Sequence, residues 1–188
     1  FDIGNQTRKS IDILSKILQS GDTDCLNFLR YEADEYSNGN GSLMKILPLL
    51  WYVRDLELEE QFEKIWEVSA LTHPHIISAI SCFLYLRMAD YIFQEKDKFD
   101  AYFFAIDDFF KLSQQRKDFE ECDFSPFEKI FSKKIFQENE KNIQSTGFVV
   151  DTLEVALWAF LNTGNYEKAI IKCVQFGEDT DTTAAVCG

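Results

Sequence analysis

His75-Ile76-Ile77-Ser78-Ala79-Ile80-Ser81-Cys82-Phe83-Leu84-Tyr85-Leu86-Arg87-Met88-Ala89-Asp90-Tyr91-Ile92-Phe93-Gln94 decides the fold. Ile76, Ile77, Ile80, Phe83, Leu84 and Met88 are spread round a helical cylinder instead of striping one side of it. A helix apolar on most sides is buried on most sides, so this segment reads as the central helix of a bundle. Its neighbours keep the same period. Upstream, Phe62, Ile65, Trp66 and Val68 give a helix over Leu58 to Leu71, and Ile11, Leu14, Ile17 and Leu18 give another over Thr7 to Leu18. A short helix through Leu26, Phe28 and Leu29 is expected between them and the next loop. Downstream, Phe103, Phe104, Phe109 and Phe110 mark a helix over Lys98 to Arg116. Lys117 to Asp123 is charged and reads as linker; Ser125-Pro126 opens a helix from Phe127 to about Gln137. Asp151 or Thr152 caps a helix to Leu161, and Tyr166 to Gln175 forms a further one. No useful strand alternation occurs, so the expected class is all-α, a compact multi-helix bundle with its loops converging on one cleft.

The totals agree. A chain of 188 residues fits one domain over 1–188, and 46% hydrophobic residues with 18 Phe are ample for a core. A net charge of −13 excludes a nucleic-acid surface or an anionic membrane as the main partner. The five Cys are scattered and form no CxxC pair, which points away from a structural zinc and towards a reducing, cytoplasmic compartment. No apolar run is read as membrane-crossing, and no signal peptide is visible. The chain starts at Phe1 without Met and ends on Cys187-Gly188 in mid-pattern, as a fragment of a longer protein would.

Four polar loops precede helices. Tyr36-Ser37-Asn38-Gly39-Asn40-Gly41-Ser42 leads into a helix that starts at Leu43-Met44-Lys45-Ile46 and passes Pro48 to about Arg54. Exposed amides opening a helix can cradle a phosphate; a plain turn is the competing reading. The only two His flank Pro74, a residue suited to the first helical position, which puts His73 at or near the N-cap. One His capping and one solvated is the plain alternative to a phosphate contact from His73. Asn142 to Val150 is the third loop. The fourth is Phe176-Gly177-Glu178-Asp179-Thr180-Asp181-Thr182-Thr183-Ala184-Ala185. Asp179 and Asp181 stand two apart and Thr182 three after Asp179, so their oxygens can converge on a hard cation. Equally, Asp179 can be a simple N-cap. Asp107-Asp108 has no partner visible in the sequence and reads as a solvated pair.

Taken in order, Asp2-Ile3-Gly4-Asn5 with Thr7-Arg8, Ser37 to Met44, Ala70-Leu71-Thr72-His73, Gly147 to Trp158 and Gly177 to Thr182 resemble the ADP-ribosylglycohydrolases, the dinitrogenase-reductase-activating type. The resemblance covers essentially the whole chain. It implies an all-α fold and hydrolysis of the glycosidic bond between ADP-ribose and a protein side chain or small molecule at a two-magnesium centre, with Mn²⁺ an alternative metal. It implies Asp179, Asp181 and Thr182 as metal ligands. Asn40, Gly41 and Ser42 would lie against the diphosphate or ribose, His73 would meet a phosphate, and Gly147 and Phe148 would border the nucleotide. ADP-ribose or an ADP-ribosylated protein is the implied partner. Lys45 stands where the family pattern has Arg after Met, which keeps the charge and loses the planar fork.

The family pattern also has an upstream Thr-Asp-Asp cluster that completes the metal shell and a further acid near the scissile bond. No Thr-Asp-Asp occurs in this chain, and Thr23-Asp24 does not replace it by context, so no catalytic residue is assigned within it. The competing expectation is therefore a catalytically silent ADP-ribose-binding or interaction module.

Overall fold

The computed structural model describes residues 4–21, 26, 29–30, 33 and 37–188. Asp2-Ile3, Thr23-Asp24, Tyr36 and most of the expected short helix around Phe28 lie outside the described residues. The described residues form nine α-helices: α1 (Asn5–Ser20), α2 (Leu50–Val53), α3 (Leu58–Ala70), α4 (Ile76–Phe93), α5 (Lys98–Ser113), α6 (Glu128–Phe131), α7 (Val149–Asn162), α8 (Tyr166–Gln175) and α9 (Thr180–Cys187). Among them there is no strand, only one isolated antiparallel bridge, Gly39 to Phe148. The class is all-α.

α4 is the centre. It packs against α3, α5 and α7, and α7 in turn carries α8 and α9. Ile77, Ile80, Phe83, Leu84, Leu86 and Met88 are all buried, on more than one side of the cylinder, as expected for a bundle centre. α4 is long and apolar enough to cross a membrane, contrary to the expectation that no run reaches that length, but 67% of it is buried within the fold. Its Arg87 and Asp90 are buried in ion pairs with Asp108 and Arg54. That is the profile of a core helix.

Several boundaries move for identifiable reasons. The expected helix through Pro48 is broken into 3-10 turns at Leu43–Lys45 and Leu47–Leu49 before α2, because Pro48 offers no N–H to a continuing ladder. His75, not His73, caps α4: its Nδ1 accepts from the Ile77 N–H, and Pro74 lies outside the helix. His73 instead closes the end of α3, its N–H donating to Ser69 O at 2.7 Å.

The Lys117–Asp123 linker contains a 3-10 turn that buries Phe119 edge-on against Phe62. The expected helix from Phe127 to Gln137 is three short pieces, a 3-10 turn at Ser125–Phe127, α6, and a 3-10 turn at Ile135–Gln137 set off by Lys133 in left-handed backbone (φ 59°). α7 begins three to four residues earlier than expected, with Phe148 at the N-cap and no side-chain cap. Thr146 Oγ1 accepts the Phe148 N–H and its hydroxyl donates to Asp151, which ties the loop to the first turn of the helix. Asp107 and Asp108 are not one solvated pair. Asp108 is buried and accepts from Arg87, Tyr91 and Lys111, while Asp107 pairs at the surface with Lys133.

Candidate active site

The Gly39–Phe148 bridge joins two of the polar loops. The Asn40 N–H donates to Gly147 O at 3.1 Å, and the Val149 N–H to Asn38 O at 3.0 Å. The fourth loop, the α8–α9 turn, joins them: the Asp179 N–H donates to Ser145 O, and the Ser145 hydroxyl to Gly177 O at 3.0 Å. That turn runs through left-handed backbone at Gly177 (φ 81°) and Glu178 (φ 51°), which Gly177 adopts at no steric cost. So residues 38–42, 145–148 and 177–179 form one surface.

The side chains close it. Asp179 takes the N-cap position of α9, but its carboxylate makes no capping bond. It accepts from Asn40 Nδ2 at 2.6 Å instead. Asn40 Nδ2 also donates to Thr152 Oγ1 at 2.9 Å, and the Thr152 hydroxyl donates to Thr146 O. Both amide hydrogens of Asn40 are thus in use, which fixes its orientation and leaves Oδ1 as its acceptor. Asp181, in the first turn of α9, is exposed; Thr182 beside it is buried.

The second loop, at Thr72-His73, lies beneath the first. His73 is 4% exposed and its ring lies against Gly39 and Gly41: a Cβ on Gly41 would fall 2.6 Å from His73 Cε1. Gly41 is required by that approach. Thr72 Oγ1 sits 3.0 Å from His73 Nδ1 and accepts from Lys45 Nζ at 2.9 Å. With one lone pair of Thr72 taken by the ammonium, its hydrogen suits Nδ1, leaving Nε2–H directed at the glycine turn. Burial, then the Lys45 charge, lowers the His73 pKa from 6.5 to about 4, so the ring is neutral at neutral pH. It is buried rather than solvated. Burial of its ammonium lowers the Lys45 pKa as well. The Ser42 side chain is fully buried and accepts from Cys82 Sγ, so Ser42 faces the core; Gly147 is exposed and Phe148 half-buried at the rim.

The sequence model of the ADP-ribosylglycohydrolases matches residues 1–188. The chain belongs to the ADP-ribosylglycohydrolase family. It is similar to ADP-ribosylarginine hydrolases of Pseudomonas putida (strain GB-1), 26% identical over 189 residues, and Serratia proteamaculans (strain 568), 25% over 202 residues. It is also similar to the ADP-ribosyl-dinitrogen reductase glycohydrolase of Rhodospirillum rubrum, 25% identical over 191 residues. All of this chain is covered in each case, against 44%, 45% and 53% of the relatives. The chain spans about half the length of the curated relatives it matches.

Of the expected ADP-ribosylglycohydrolase site residues, Asn40 and Asp179 are in direct contact, and Gly41, His73, Gly147 and Phe148 are gathered round them. Asp181 and Thr182 adjoin Asp179 on α9. Among the described residues no three His, Cys, Asp or Glu side chains group as a metal cluster. The oxygen-only set of two carboxylates and a hydroxyl suits a hard cation such as Mg²⁺ rather than zinc. Sequence reasoning missed Ser145 and Thr146, which tie the loops together. Their signal was a Ser-Thr-Gly run directly before a helix.

Proposed function

We propose that this chain contributes the ADP-ribose cradle and part of the metal shell of a hydrolase that cleaves ADP-ribose from arginine or another protein side chain. One observation carries the reading: Asp179 stands at a helix N-cap, yet its carboxylate leaves the helix amides for Asn40 on a loop 139 residues away. A cap alone does not need that arrangement. Asp179, Asp181 and Thr182 would hold Mg²⁺ or Mn²⁺. An ion held by them would supply positive charge beside the ribose hydroxyls and the attacking water.

The chain's own residues do the positioning. Asn40 fixes the Asp179 carboxylate. The amides of Asn40 to Ser42 and the Lys45 ammonium offer donors and charge to a diphosphate. Neutral His73 holds the glycine turn from below, which keeps its backbone amides in place for a phosphate. Gly147 leaves room for the nucleotide and Phe148 gives it an apolar edge.

The test is release of ADP-ribose from an ADP-ribosylated arginine substrate with Mg²⁺, in the protein that contains this chain. Asp181→Ala should abolish release; unchanged turnover refutes the metal assignment. A silent ADP-ribose receptor is the second reading, favoured by the lack of a three-acid cluster among the described residues. Calorimetric binding of ADP-ribose without turnover would select it.

A further inference from the structure

We propose that Thr152 is a positioning residue for the metal site: acting through Asn40, its hydroxyl holds the Asp179 carboxylate in the posture that receives a cation. The role rests on the reading of Asp179 as a metal ligand.

The Asn40 backbone is pinned on both sides, its N–H donating to Gly147 O at 3.1 Å and its carbonyl accepting from the Met44 N–H at 3.2 Å. What stays soft is the side-chain torsion that turns the amide. Thr152 settles it. Its Oγ1 accepts from Asn40 Nδ2 at 2.9 Å, and the same nitrogen reaches Asp179 Oδ2 at 2.6 Å. A carboxylate only accepts. With the amide turned over, Asn40 Oδ1 would meet Asp179 oxygen against oxygen.

The direction of the Thr152 hydroxyl is itself fixed. A helical Thr commonly returns its hydroxyl to the carbonyl three or four residues back. Thr152 instead donates to Thr146 O, six residues back and outside α7, at 3.3 Å. Its one hydrogen is spent there, so Oγ1 is an acceptor towards Asn40. Thr152 is 0% exposed, so water does not compete for either bond. Val would fill nearly the same space without burying a polar group; the hydroxyl is what the Asn40 amide needs. Hydrogen-bond partners that hold a metal-ligating carboxylate typically matter by about 10–100-fold in metal affinity.

The experiment titrates Mn²⁺ into the metal-free protein that contains this chain, reading free Mn²⁺ by electron paramagnetic resonance, with thermal melting of each variant alongside. Thr152→Val should weaken binding about tenfold or more. Thr152→Ser, which keeps the hydroxyl, should restore it. In an Asn40→Ala background Thr152→Val should change the affinity no further, because its effect passes through that amide. Thr152→Ala removes the same hydroxyl and supplies the comparison if Thr152→Val does not fold. A lowered melting temperature with unchanged Mn²⁺ affinity, Thr152→Ser binding as weakly as Thr152→Val, or an undiminished effect with Asn40 already gone overturns the positioning role and leaves Asp179 a ligand. Mn²⁺ binding that survives Asp179→Ala undiminished overturns the metal reading, and the role of Thr152 with it.

Discussion

Asn40 and Asp179 lie 139 residues apart in sequence and 2.6 Å apart in space, joined by the Asn40 amide. The bond makes the loop before the first 3-10 turn and the N-terminus of α9 one object. Replacing Asn40 by Ala leaves Thr152 Oγ1, on a fully buried residue, without its donor and frees the Asp179 carboxylate. The expected cost is about 1 kcal/mol of stability, measured by denaturant unfolding, with a larger proportional loss in ADP-ribose affinity by calorimetry. Equal ADP-ribose binding in Asn40→Ala and wild type would show that the pair is structural only.

The two glycines under which His73 sits should respond differently. At Gly41 a methyl group meets the buried ring at 2.6 Å, whereas at Gly39 it meets Nε2 at an ordinary 3.5 Å. Gly41→Ala is expected to destabilise by about 1–3 kcal/mol through overpacking. Gly39→Ala should cost much less. Thermal melting of the two variants side by side gives the ordering.

His73 makes stability pH-dependent in a defined window. Its folded pKa is about 4 against an ordinary 6.5. As pH falls the unfolded chain takes up this proton first. The contribution is therefore complete above 6.5 and is lost as pH drops towards 4. Its size is on the order of 3 kcal/mol. His73→Gln should flatten the stability profile over this window only, read by urea unfolding at successive pH values.

The neighbouring acids of α5 should part company. Asp108→Ala removes the nearer of two carboxylates from the buried Arg87 guanidinium, leaving Asp90 at 3.5 Å, and removes an acceptor from Tyr91. Losing hydrogen bonds to a buried charged group costs about 1.5–3 kcal/mol. Asp107, about half exposed and paired only with Lys133, should tolerate Ala within about 0.5 kcal/mol. Unfolding midpoints measured in urea distinguish them.

Much of this was readable beforehand, for stated reasons. α3, α4 and α5 have uninterrupted apolar periodicity, so their existence and the all-α class follow from spacing. Pieces set by long-range contact were not. Phe119 sits in a charged run and is buried only because Phe62 and Phe109 wait for it. Asp108 finds Arg87 on a different helix. The N-cap was assigned to His73 instead of His75 because Pro74 suits a first helical turn, while the tertiary demand for a ring under Gly41 pulls His73 inward. At the site, glycine and acid punctuation marked the loops. Ser145 and Thr146, the residues that knot them together, are ordinary in isolation.

The single bridge between Gly39 and Phe148 has a kinetic meaning. Its partners are separated by the whole run of α2 to α6, so the chain must close a loop of that length before the pairing returns anything. Local helices and the α3–α4–α5 hairpins need no such closure. The cradle is therefore expected to assemble last during refolding, on a core already formed, and to be the first region to exchange its amide hydrogens with solvent.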